Sequence, residues 1–342
     1  MIVFRADGSD KIGSGHLMRC MTIARALVER PNDGGEVLFV TALEESAQFI
    51  KSKGFQAVVL GKVELGEELP EIVPFLEKEK PEWIFVDSYK ATAEYLASLR
   101  KYAKVAYMDD FGTCTYPVDM IINYNVFAQK EHYAKLYNGS DTVCLVGAEF
   151  IPIRPEFTNQ EYSISERLTD ILLLTGGGDY YNLSEKFMDT FGECEALKGL
   201  HFHLICGYYN DRMETLKTKA QKYTNFTLYE NVANIWDLMK NCDLALTAGG
   251  STVYELCAIG VPFLGYSFAD NQHPLMNYLK DQSIAPNLGD YRERGQELLE
   301  DMTKHIVQCI NVTVREEMQA REKGFVDGQG AGRIADALQR GI

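Results

Sequence analysis

The chain has 342 residues, 46% of them hydrophobic, enough for two packed cores; this excludes disordered and collagen-like classes. Its 34 basic and 49 acidic side chains give a formal charge of −15, and no Lys/Arg cluster exists to neutralise a phosphate backbone, so nucleic acid is excluded as a partner. No apolar run approaches the roughly 18 residues of a membrane span, whereas small anions remain admissible because glycine loops and helix N-termini offer backbone amides.

Apolar runs at residues 2–4, 37–40, 57–60, 83–86, 105–108 and 120–122 are short, β-branched and bounded by turn residues, as buried parallel strands are. Arg5 and Asp7 would interrupt the apolar core of a signal peptide, so the first run is expected to be a strand and the location cytoplasmic. Helical patterns at 17–28, 44–52, 71–79 and 91–101 fill the intervals and predict a βαβ series. Two prolines in 151–155 predict a linker, after which the alternation restarts with strands at 171–174, 202–206, 226–229, 244–246 and 262–265. Residues 292–339 are helical in composition. The expected organisation is an N-terminal Rossmann-like domain at 1–155, a second at 165–310, and a helical tail at 311–342 that packs back on the first. The eight cysteines are scattered without a CxxC pair, which predicts reduced thiols.

In open α/β sheets ligands bind beyond the carboxyl ends of the strands, so the polar residues there are the candidates. Loop 7–16 holds Asp7, Gly13, Gly15 and His16 and runs into an amphipathic helix. At the first helical turn the dipole disfavours a protonated imidazole, and a neutral His16 is suited to act as a general base. The same spacing also fits a turn in which His16 only caps the helix. As a dinucleotide signature the loop is deficient, since the third glycine is missing.

Gly249-Gly250-Ser251-Thr252 precedes a helix carrying Glu255; such a junction can hold a diphosphate on its amides, with the carboxylate accepting from ribose hydroxyls. A capping box from Thr252 to Glu255 reads equally well. Thr175-Gly176-Gly177-Gly178-Asp179 is a second junction of this kind in the same half, and 267–272 a further polar strand end. His201 and His203 alternate on a strand without a third ligand at metal spacing, so no metal is expected. Asp109-Asp110 reads either as an acid pair or as one cleft-facing carboxylate beside one that caps a turn.

Arg5-Ala6-Asp7, Ile12-Gly13-Ser14-Gly15-His16 with Arg19, Asp87-Ser88-Tyr89, Asp109-Asp110, Asn123-Tyr124-Asn125, the run from Leu174 to Asp179, Ser251 to Glu255 and Asn271-Gln272 are a set in order. Together they resemble the UDP-2,4-diacetamido-2,4,6-trideoxy-β-L-altropyranose hydrolase family of pseudaminic acid biosynthesis. The second half also resembles the bacterial transferase that adds N-acetylglucosamine to the peptidoglycan lipid precursor. The resemblance implies an α/β GT-B fold, two doubly wound Rossmann-like domains facing across a cleft. It implies a metal- and cofactor-free enzyme that hydrolyses a UDP-linked diacetamido-trideoxy hexose with inversion at the anomeric carbon; a GT-B glycosyltransferase with a UDP-amino sugar donor is the alternative. His16 would activate water. Asp7, Gly15, Arg19, Tyr89, Asp109, Asn125, Asn271 and Gln272 would contact substrate, Gly177, Gly250, Ser251 and Thr252 the diphosphate, Glu255 the ribose, and the backbone at Val232 the uracil. The expected partner is the UDP-sugar alone, with no membrane or nucleic acid, and a monomer is the expected state.

Overall fold

The computed structural model describes residues 1–9, 11–30, 35–61, 65–158, 160–208, 210, 212–230, 232 and 234–340. They divide into two compact units, residues 1–153 with 328–342, and residues 154–327. In the first, the chain runs β1 (Ile2–Ala6), α1 (Gly15–Val28), β2 (Val37–Thr41), α2 (Glu44–Ser52), β3 (Ala57–Val59), α3 (Leu69–Glu79), β4 (Trp83–Asp87), α4 (Ala93–Leu99), β5 (Lys104–Met108), β6 (Met120–Asn123), α5 (Lys130–Leu136) and β7 (Val143–Val146). All described pairings are parallel, in the order β3-β2-β1-β4-β5-β6-β7. Helices on both faces leave the central strands β1 and β4 buried along their length and apolar apart from Arg5 and Asp87, and Phe4 of β1 stacks between Phe39 and Phe85 at 5.2 and 4.9 Å.

The second unit repeats the architecture: β8 (Asp170–Leu174), α6 (Leu183–Phe191), β9 (His201–Cys206), α7 (Met213–Ala220), β10 (Phe226–Glu230), α8 (Ile235–Lys240), β11 (Leu244–Ala248), α9 (Thr252–Ile259), β12 (Phe263–Ser267), α10 (His273–Asp281), β13 (Asn287–Asp290), α11 (Tyr291–Arg294), α12 (Gln296–Gln308) and α13 (Val312–Glu322). Its order is β10-β9-β8-β11-β12-β13. In both sheets the winding reverses once, between β1 and β4 and between β8 and β11. Doubly wound sheets bind ligands beyond the strands' carboxyl ends at such reversals.

The α/β class and the two doubly wound sheets match the sequence reading; three details differ. Strands β7 and β13 were not anticipated. Residues beyond 153 do not form a free linker, because Phe157 is buried and the Tyr162 hydroxyl donates to the Cys242 carbonyl at 3.1 Å, so the second unit starts at Arg154 rather than near 165. The expected tail at 311–342 is divided. Helix α13 belongs to the second unit through buried Arg315, which donates to the Cys309 and Glu166 carbonyls. Only the segment with the last helix, α14 (Gly330–Arg340), belongs to the first, burying Ile334, Ala335 and Leu338 and pairing Asp336 with Arg30 beyond α1. A Cβ at Gly330 would lie 2.2 Å from the Ile151 carbonyl oxygen, so this close approach requires glycine.

Candidate active site

In the first unit, the loop after β1 closes on itself before α1. The Gly13 N–H donates to the Ser9 carbonyl at 2.7 Å, and Gly13 has φ +79°, a left-handed turn that suits glycine. Of this loop, Asp10 lies outside the described residues. Helix α1 buries Leu17, Cys20, Met21, Ala24 and Leu27, and the same rotation turns His16 and Arg19 inward toward the end of β4. Asp87, the last residue of β4, receives both: His16 Nδ1 lies 2.6 Å from its Oδ1, while Arg19 Nε and Nη2 donate to Oδ2 and Oδ1 at 2.6 and 2.5 Å.

This arrangement decides against His16 as a mere cap, since its ring is buried and bonded to a strand 71 residues away. Burial alone would raise the Asp87 carboxyl, but the Arg19 guanidinium and His16 override it and hold Asp87 well below the ordinary carboxylate range. An ionised Asp87 can only accept, so Nδ1 carries a proton, and in the neutral ring Nε2 is then the acceptor. The edge of the His16 ring meets Tyr89 at 4.5 Å. Arg19 also donates to Asp110 at 3.0 and 2.8 Å and to the Tyr124 hydroxyl at 2.9 Å; these acids outweigh the desolvation of its charge.

The remaining candidates in this unit have structural duties. Asp7 accepts from Arg5 at 2.6 Å, from the Thr41 hydroxyl at 2.6 Å and from the Ala42 N–H at 2.7 Å. Arg5 itself is buried against Glu68, so Asp7 anchors the loop that carries Gly15 and His16. Asp109 accepts from the amides of Phe111 and Gly112 and from the Tyr133 hydroxyl, which makes it the turn-capping member of the acid pair. Asp110 is the member that faces Arg19, and Asn125 donates to it at 3.1 Å.

In the second unit, the two glycine loops follow the adjacent strands β8 and β11. In the first, the amides that open α6 are already taken, because Asp179 accepts from those of Leu183 and Ser184 at 2.7 and 3.0 Å; burial pushes its carboxyl up. Gly177 packs its carbonyl 2.3 Å from where a Cβ on Gly207 would stand, which keeps the loop close to the end of β9. The second loop is open. A side chain at Gly249 would strike Met276, while Gly250 has nothing within 4 Å of the Cβ position.

No side-chain cap forms at the start of α9. The capping-box alternative therefore fails: Glu255 instead accepts from Arg154 Nε and Nη2, at 3.1 and 2.9 Å, through Oε1 alone. Arg154 lies over the Phe157 ring at 4.3 Å. Sequence reading treated this arginine as linker, and the only signal was a basic side chain in a proline-rich stretch. Gln272, past β12, accepts from the Phe268 N–H at 2.8 Å and so shapes the turn that carries Asn271. Val232 follows β10, and its neighbours 231 and 233 lie outside the described residues. His203 is held by Asp170 and Tyr229, and among the described residues no group of three or more His, Cys, Asp or Glu side chains is placed to hold a metal. Among them, too, no helix is long and apolar enough to cross a membrane.

Two parallel, doubly wound sheets of this kind define the GT-B class, and a solved structure agrees. The crystal structure of MurG from Acinetobacter baumannii covers 99% of both chains with a TM-score of 0.69 at 13% identity. The glycosyltransferase family 28 C-terminal domain matches residues 171–327. Over 339 residues, 98% of this chain and 96% of the relative, the sequence is 24% identical to the spore coat polysaccharide biosynthesis protein SpsG of Bacillus subtilis. It is 23% identical to the UDP-2,4-diacetamido-2,4,6-trideoxy-beta-L-altropyranose hydrolase of Campylobacter jejuni, over 81% of this chain and 95% of that one.

Proposed function

We propose that this protein hydrolyses a UDP-linked diacetamido-trideoxy hexose to UDP and the free sugar, with His16 as the base. The observation that carries the reading is the His16–Asp87 pair at the sheet reversal of the first unit. With its proton fixed on Nδ1, His16 has Nε2 for taking a proton from water, and Asp87 stabilises the imidazolium that forms. The water oxygen then bonds to the anomeric carbon as the bond to the diphosphate oxygen breaks. UDP leaves with the electron pair, and attack opposite the leaving group inverts the configuration. Charge spread over two phosphates makes UDP a good leaving group, so one base suffices and the amides at the start of α9 need only hold the developing charge.

In this reading the second unit holds UDP. Gly177, Gly250, Ser251 and Thr252 surround the diphosphate, Glu255 binds the ribose through Oε2, the oxygen that Arg154 leaves clear, and the backbone at Val232 meets the uracil. Asn271 and Gln272 adjoin the sugar. The Campylobacter jejuni relative's name supports hydrolysis. Likeness to a transferase domain family favours a second reading, transfer of a UDP-amino sugar to an acceptor. Incubation with the UDP-diacetamido-trideoxyhexose separates the two. Hydrolysis requires UDP release with no acceptor present, whereas release only after a lipid-linked or sugar acceptor is added would establish transfer.

A further inference from the structure

Around His16 the charged groups are already matched to one another: Asp87 to His16 and Arg19, Asp110 to Arg19 and Asn125, Asp109 to the Phe111 turn and Tyr133. What this rim turns to solvent is aromatic. Tyr89 is 46% exposed and Phe111 54%, and their rings lie 5.2 Å apart, continuing the contact from His16 to Tyr89.

Both rings sit on constrained turns. The Phe111 N–H is held by Asp109, and the following Gly112 has φ +62°, with Tyr133 at 2.9 Å from its Cβ position, so the turn is braced from below. Behind Tyr89, the Ser88 carbonyl accepts from the Tyr107 hydroxyl at 3.3 Å. Large apolar side chains held out into water beside a buried polar network mark a ligand face.

We propose that Phe111, together with Tyr89, is the specificity-determining platform of this site and receives the methyl-bearing edge of the sugar, its acetamido methyls and deoxygenated carbon. This inference rests on the preceding reading that a water activated by His16 attacks the sugar's anomeric carbon, which brings the sugar to the rim around His16. The flat face of Phe111 gains from covering methyl and C–H groups, whereas a sugar hydroxyl pressed on that face loses its water and finds no acceptor there. Selection for a deoxygenated, N-acylated hexose then arises from what the platform fails to offer a hydroxylated one.

Phe111→Ala and the ring-preserving Phe111→Tyr test it, read by turnover of the UDP-diacetamido-trideoxyhexose and by NMR saturation transfer from the protein's aromatic protons to that ligand. Phe111→Ala should lower kcat/KM roughly tenfold or more, and the ligand's methyl signals should lose saturation relative to its ribose signals. Phe111→Tyr should restore both, and the affinity for UDP alone should stay the same in both variants. Unchanged kcat/KM in Phe111→Ala, or methyl signals not saturated in the wild type, would overturn the platform while leaving hydrolysis standing. Wild-type protein that releases no UDP, yet saturates the methyls in a Phe111-dependent way, would overturn the hydrolase reading and support the platform.

Discussion

In the proposed reaction, Asp87 makes a histidine at a helix start a base with a defined tautomer. Replacing His16 by Asn keeps a polar group there and should leave UDP affinity unchanged while turnover falls by roughly 10² to 10⁴. Asp87→Asn should cost a similar factor, because the amide releases the constraint on Nδ1, and it should also lower the melting temperature, since Arg19 is left with one fewer buried partner. Steady-state rates and UDP titration on the same preparations read both. Near wild-type turnover in either variant would remove the pair from catalysis. His16 itself was legible in the sequence, from a glycine loop at a strand end. Asp87 stood out too, at the end of another strand, but the pairing of the two did not, because nothing local connects residues 16 and 87.

Another buried acid has the opposite sign. Glu322 on α13 is fully buried, accepts only a 3.4 Å contact from the Phe263 N–H among the described residues, and burial pushes its carboxyl well above the usual range. A raised folded-state pKa means that the stability it contributes is complete below the unfolded value of about 4.3 and is lost as pH rises through the folded one. Glu322→Gln should therefore gain in melting temperature over the wild type as the pH moves from 5 to 8. A difference that stays constant across that range would show that Glu322 does not titrate with folding.

Helix α9 and its glycine turn illustrate how far a local pattern reads. The spacing from Thr252 to Glu255 fits a capping box and a nucleotide carboxylate equally, and only the folded chain, with no side-chain cap at the helix start and Arg154 reaching Glu255 from 101 residues away, removes the capping box. If Glu255 binds ribose, Glu255→Ala should weaken UDP binding by about 1 to 3 kcal/mol, measured by titration calorimetry. Equal affinities would take Glu255 out of the nucleotide site. Strands β7 and β13 escaped detection for a different reason. Both lie at sheet edges, where one side lacks a strand neighbour, and Asn287–Asp290 has neither an apolar run nor alternation strong enough to announce itself.

Across the whole chain, alternating apolar and amphipathic stretches made the two sheets readable, since parallel strands buried on both faces need continuous apolar runs. Where the units divide was less legible, because the last helix joins the first unit through contacts more than 300 residues distant, such as Arg30 to the Gly332 carbonyl at 3.1 Å. Leu338→Ala removes a fully buried side chain from that helix and should destabilise the first unit by about 2 to 5 kcal/mol in chemical denaturation. An unchanged unfolding midpoint would mean α14 adds little to it.

In the proposed reaction, a water activated by His16 attacks the anomeric carbon of the UDP-linked sugar. Running that reaction in ¹⁸O-labelled water with the UDP-diacetamido-trideoxyhexose, and weighing both products by mass spectrometry, tests it most directly. One label in the released sugar and none in UDP is the expected result; label in UDP would place the attack at phosphorus and contradict attack at the anomeric carbon.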